Sequence, residues 1–134
     1  MNKKEEIEMS NSVLRDKSFA FAVRVLRLCD YLDQAREYAL KDQIGRSGTS
    51  IGANVRESRN AQGPRDMAHK FSIALKEADE TEYWLELLRV TGKIDQAAFD
   101  SMMKDLDEII SMLVSSIKTL KKNNRDGNEE EGKN

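Results

Sequence analysis

Residues 45–58 read GRSGTSIGANVRES, and whether this stretch is a loop or a helix decides the fold. Glycines, hydroxyls and two arginines make up a backbone nest suited to receiving an anion. A phosphate loop of the NTPase kind, however, needs a glycine followed directly by Lys and then Ser or Thr, with a strand before it. Here Thr49 follows Gly48, Ala53 follows Gly52, and nothing upstream of Gly45 has the pattern of a buried strand. The letters GRSG match the GxxG loop of KH domains, but the strands of that fold are missing. A helix over 41–60 accounts for the same residues. Ile44, Ile51 and Val55 recur at helical spacing, and Gly45, Gly48 and Gly52, with Ala53, become places where a neighbouring helix approaches the backbone. Each glycine costs a helix up to about 1 kcal/mol relative to alanine, so three of them imply a packing requirement. Ser47, Ser50 and Asn54 lie along one edge of this helix, where they are expected to hydrogen-bond to a neighbour.

Working outward, the chain of 134 residues is near the commonest domain size and is read as one domain. One proline, seven glycines and 34% charged residues favour long helices over a sheet. The first helix is expected over 12–33, with Phe19, Ala22, Val23 and Leu26 on one side and Phe21, Val25, Leu28 and Leu32 widening the apolar arc past half the circumference. Such an arc implies burial on two sides. The third is expected over 64–90, opened by Pro64 and closed by Gly92, with a second apolar stripe at Trp84 and Leu87. The fourth, over 96–121, follows Asp95 as N-cap and has the cleanest periodicity, from Phe99 to Leu120. Residues 1–11 are expected to be a flexible N-terminal segment, and 122–134, which lack apolar residues, a disordered polar tail. Short connections favour antiparallel neighbours, so the reading is an all-α, antiparallel up-and-down four-helix bundle.

Chemistry is sparse. Di-metal carboxylate bundles need two Glu-x-x-His pairs, and the only histidine, His69, follows Asp66 at that spacing. Cys29 and His69 alone cannot hold zinc, and Cys29 sits on the apolar arc of the first helix as a small core residue. No metal or cofactor is expected. The acidic run Glu77, Asp79, Glu80, Glu82 and Glu86 reads mainly as a solvated face, with Glu77 and Glu80 placed to meet Arg46 or Arg56 across a boundary. The net charge of −2 gives no global attraction to polyanions. A local one is conceivable at Arg46, Arg56, Arg59, Arg65 and Lys70, the candidate nucleic-acid patch. A single cysteine and the lack of an apolar leader or membrane-length run fit a cytoplasmic protein.

RSGTSIGANVRES, together with DKSFAFAVR and FSIALKEADETEYWLELL, closely resembles the bacterial four-helix-bundle family first noticed as reading frames within intervening sequences of large-subunit ribosomal RNA, and often labelled ribosomal. The resemblance spans roughly 14–121. It implies an antiparallel bundle commonly assembled as a homopentamer. Related proteins are accessory factors of diversity-generating retroelements, in which a basic pentamer engages a reverse transcriptase and nucleic acid; this chain is slightly acidic instead.

The leading expectation is therefore a non-enzymatic, self-associating bundle acting as an interaction scaffold, with Phe21, Leu28, Trp84 and Leu87 against neighbouring subunits. The alternative is an accessory protein that binds structured RNA or a reverse transcriptase through the basic patch.

Overall fold

The computed structural model describes the backbone of residues 1–132 and the side chains of 1–127. It contains four helices, α1 (Lys3–Gln34), α2 (Tyr38–Glu57), α3 (Pro64–Val90) and α4 (Gln96–Gly132), with a 3-10 turn (Ser58–Asn60) between α2 and α3. There is no strand among the described residues. Each helix packs on the next and α4 returns to α1, which closes an up-and-down bundle. The core draws on all four: Leu14, Phe21, Val25 and Leu32; Ile44, Ile51 and Val55; Phe71, Leu85 and Leu88; Leu106, Ile109 and Leu113.

The helix ends follow from local chemistry. At the start of α1, the Asn2 side chain accepts from the Glu5 backbone N–H at 2.8 Å while the Glu5 carboxylate accepts from the Asn2 N–H at 3.4 Å. This capping box carries the helix back to Lys3, so the segment expected to be flexible over 1–11 is the first turns of α1. Apolar periodicity starts only near Leu14, which is why it placed the start too late. Pro64 stands in the first turn of α3. Asp95 caps α4 by accepting from the Ala98 N–H at 2.8 Å. At its other end α4 runs past 121, where the core stripe stops, to Gly132. The expected polar tail is thus helical over 122–132: KNNRDGNEEEG has no proline to stop the helix, and its lysine, arginine and three glutamates are good helix formers among poorer asparagines and glycines. Residues 133–134 lie outside the described ones.

α1 and α3 end in the same way. Beyond α3, Gly92 (φ 74°) takes the left-handed conformation, and the N–H groups of Gly92 and Lys93 return to the carbonyls of Arg89 and Leu88. Beyond α1, Arg36 (φ 61°) does this without being glycine, and Arg36 and Glu37 return to Asp33 and Leu32. The two turns lie at one end of the bundle and are joined by Lys93 Nζ to Glu37 Oε1 at 2.6 Å.

Candidate functional site

Three surfaces are built by this frame: a buried glycine seam, an outward apolar stripe and a set of charged residues. In the seam, the glycines of α2 run antiparallel to small and β-branched residues of α1. A Cβ at Gly45 would stand 3.2 Å from Cys29 Sγ, at Gly48 2.7 Å from Val25 Cγ2, and at Gly52 3.2 Å from the Ser18 carbonyl oxygen. Real side chains do not tolerate the second distance, so Gly48 sets how closely the two helices meet. Of the hydroxyl and amide edge of α2, only Ser47 reaches another helix. Its Oγ lies 2.9 Å from Thr81 Oγ1 on α3, fully buried, and Thr81 in turn donates to the Glu77 carbonyl at 2.7 Å. Ser50 and Asn54 bond back within α2 instead, to the carbonyls of Arg46 (2.6 Å) and Ser50 (2.8 Å). A helical hydroxyl or amide always has the carbonyl one turn back within reach, and at the rim of the seam that partner wins.

Opposite the core stripe, α1 turns Phe19 and Leu26 to solvent, 56% and 54% exposed, with Ala22 and Val23 half-buried between them. Phe19 and Ala22 line a shallow groove of about 260 Å³ shared with Gly52, Ala53 and Arg56 of α2 and Arg15 of α1. The Arg56 guanidinium lies over the Phe19 ring, 5.6 Å from its centroid. This reverses the faces expected from sequence. Phe21, expected at a subunit interface, is fully buried, and Leu28 and Trp84 are half-buried against the core; Leu87 is half-buried on α3. The reason is the seam: only the side of α1 bearing Ser18, Val25 and Cys29 fits the glycines, and Phe21 shares that side.

The five residues of the candidate nucleic-acid patch have different neighbours. Arg46 meets Glu80 at 2.8 Å, and Trp84 Nε1 donates to the same carboxylate oxygen at 3.3 Å. Lys70 meets Glu57 at 3.0 Å, Arg56 covers Phe19, and Arg59 is exposed beside the 3-10 turn. Arg65 alone joins a further set of cations, Lys118, Lys121 and Arg125 on α4, which lie outside the patch expected from sequence. Their spacing, i, i+3 and i+7, puts them on one helix face and was a usable signal. Two other ion pairs tie α1 to α4 across the bundle, Arg24 to Asp105 at 2.6 Å and Lys17 to Glu108 at 2.8 Å. Partners so far apart in the chain leave no mark on the sequence.

Among the described residues no three of His, Cys, Asp and Glu stand where they would hold a metal ion. Burial pushes the Cys29 thiol up, and its Sγ is 3.6 Å from the Lys41 carbonyl, so the reactive thiolate is disfavoured. On the α3–α4 face, burial and then the neighbouring Glu86, Asp107 and Asp79 raise the Glu82 carboxyl above its ordinary range. No helix among the described residues is long and apolar enough to cross a membrane.

The fold and its surfaces define an all-α four-helix bundle whose distinctive sequence serves helix packing. Residues 10–115 match the family described as 23S rRNA-intervening sequence protein, and the chain belongs to that family. It is similar to a solved protein with unknown function from the S23 ribosomal protein family of Bacteroides thetaiotaomicron, at 48% identity and a TM-score of 0.79, over 81% of this chain and 98% of that one. A comparison with curated proteins returns no match.

Proposed function

We propose that this protein is a cytoplasmic, non-enzymatic scaffold that assembles with copies of itself, the α1–α2 face of one copy receiving the α3–α4 face of the next. The observation that carries the reading is the outward stripe of Phe19 and Leu26, apolar side chains the protomer leaves more than half exposed on one helix face. The groove beside it is edged by Arg15 and Arg56. On the opposite face of the bundle, Glu86, Asp107 and Asp79 gather around Glu82, whose carboxyl is held above its ordinary range by burial and then by these neighbours, and Tyr83 is exposed nearby. A cation then meets what that acidic cluster lacks, and like-charged faces are kept apart. Because the two faces differ, the contact is head-to-tail, and it ends only by closing into a ring. Five subunits is the number that the family resemblance suggests.

Two variants test the head-to-tail geometry. Leu26→Glu breaks the first face and the double variant Glu82→Lys with Glu86→Lys breaks the second. Each alone is expected to be monomeric with its helix content intact. Mixed, they retain one sound face each and are expected to form a heterodimer that goes no further. Failure of the mixture to pair overturns the head-to-tail reading.

A further inference from the structure

Where the first turns of α3 lie against the late turns of α4, Arg65, His69, Lys118, Lys121 and Arg125 surround a groove of about 680 Å³. No carboxylate lines it among the described residues. The nearest acidic side chain on α3, Asp66, accepts from the Gln62 backbone N–H at 3.1 Å, and Lys70 on the next turn is held by Glu57. In a chain whose net charge is −2, four permanent cations and an imidazole around one concavity are a local concentration, not a sample of the whole. Packed together they repel, and an anion relieves that repulsion. The N-terminal end of α3 adds its partial positive charge from the same side.

The floor differs from the rim. It is formed by Ala68 and Leu120, the last core residues of their helices at this end. Asn124 and Ser72 stand at its sides. The Ser72 hydroxyl is committed to the Ala68 carbonyl at 2.9 Å and retains acceptor capacity, whereas an asparagine amide both donates and accepts. The volume falls within the range of about 300–1,000 Å³ usual for small-ligand sites. Three of the cations stand along one face of α4, and the fourth, Arg65, faces them from α3 across the hollow. We propose that this groove binds a small phosphorylated anion of nucleotide size, its phosphates held by Arg65, Lys118, Lys121 and Arg125 and its flat body laid on Ala68 and Leu120. The groove lies on the same α3–α4 side as Glu82, nearer the start of α3, and apart from the Phe19–Leu26 stripe, so the monomeric Leu26→Glu variant separates this site from self-association.

The test is titration calorimetry of the full chain at low salt with ATP, inorganic triphosphate and a structured RNA oligomer as probes. ATP is expected to bind at one site per chain, about tenfold or more tighter than triphosphate, because only ATP has a body for the floor. Arg65→Ala with Lys121→Ala is expected to weaken ATP at least tenfold while the melting temperature and subunit mass stay those of wild type. Leu26→Glu, which removes self-association, is expected to leave ATP affinity unchanged. The proposal is overturned if millimolar ATP gives no heat, if triphosphate binds as tightly as ATP, or if the double variant binds like wild type. It is equally overturned if the RNA oligomer binds through these same residues while ATP does not, since the groove is then part of a polynucleotide track.

Discussion

On α1, Phe21 is fully buried, whereas Phe19, two positions earlier, leaves 56% of its surface to solvent. The same contrast runs along the helix, with Val25 and Leu32 inside and Leu26 outside. Apolar character does not separate these two faces. What separates them is the partner: α2 offers Gly45, Gly48 and Gly52, and only the side carrying Cys29, Val25 and Ser18 closes onto them. A helix with two apolar faces is oriented by shape, and the face left over becomes available for contacts outside the protomer.

The largest effect is expected at the buried side of α1. Phe21→Ala is expected to cost about 3–5 kcal/mol of folding stability through the cavity it leaves. Phe19→Ala is expected to cost under about 1 kcal/mol in folding while weakening assembly. Urea unfolding in the monomeric Leu26→Glu background isolates folding from association, and equal losses at the two positions would erase the distinction between the faces.

Gly48→Ala asks whether shape sets the orientation. Alanine gains up to about 1 kcal/mol of helix propensity, but its Cβ would press on the buried, β-branched Val25 at 2.7 Å, and overpacking of this kind costs about 1–3 kcal/mol. A net loss is expected by thermal melting, and Gly48→Ala combined with Val25→Ala is expected to recover part of it. A plain gain from Gly48→Ala would mean that the seam is not tight.

Arg36 offers a test of similar size at the bundle end. It occupies the left-handed position that Gly92 fills in the matching turn after α3. Arg36→Gly is expected to stabilise by about 1 kcal/mol, read as a rise in Tm with no change in subunit mass.

The smallest effect belongs to the acidic face. The folded protein holds the Glu82 proton more tightly than the unfolded chain does, through burial first and then Glu86, Asp107 and Asp79. The stability contributed by the Glu82 proton is therefore lost as pH rises from the ordinary carboxyl value of 4.5 through the raised folded value. In the monomeric Leu26→Glu background, adding Glu82→Gln is expected to raise Tm at pH 7, with the gain closing as pH falls below 4.5. An equal gain at both pH values would assign the effect to something other than ionisation.

Most of the architecture was legible because it rests on local signals. Pro64 and Gly92 bound α3 at the residues the sequence indicated, and Asp95 marks the start of α4. The glycines of α2 were legible as misfits in a helix that had to be explained. The start of α1 was missed because the Asn2–Glu5 capping box lies ahead of the apolar pattern, and the end of α4 because a charged helix beyond the core has no apolar stripe to follow. The outward face of α1 was misread for a deeper reason. Phe19 and Phe21 are equivalent by hydrophobicity, and choosing between them requires knowing which residues of α2 stand opposite. The cationic groove escaped for a related cause: Arg65 and Lys118 are brought together only by the packing of α3 on α4.

The stripe left outside by the glycine seam is proposed to hold copies of the chain together. Its most direct test is the solution mass of wild type and Leu26→Glu by light scattering at micromolar concentration. Wild type is expected as a particle several times the 15.3 kDa protomer, and Leu26→Glu at the protomer mass with unchanged helix content. A wild-type monomer, or a Leu26→Glu particle of undiminished mass, would contradict it.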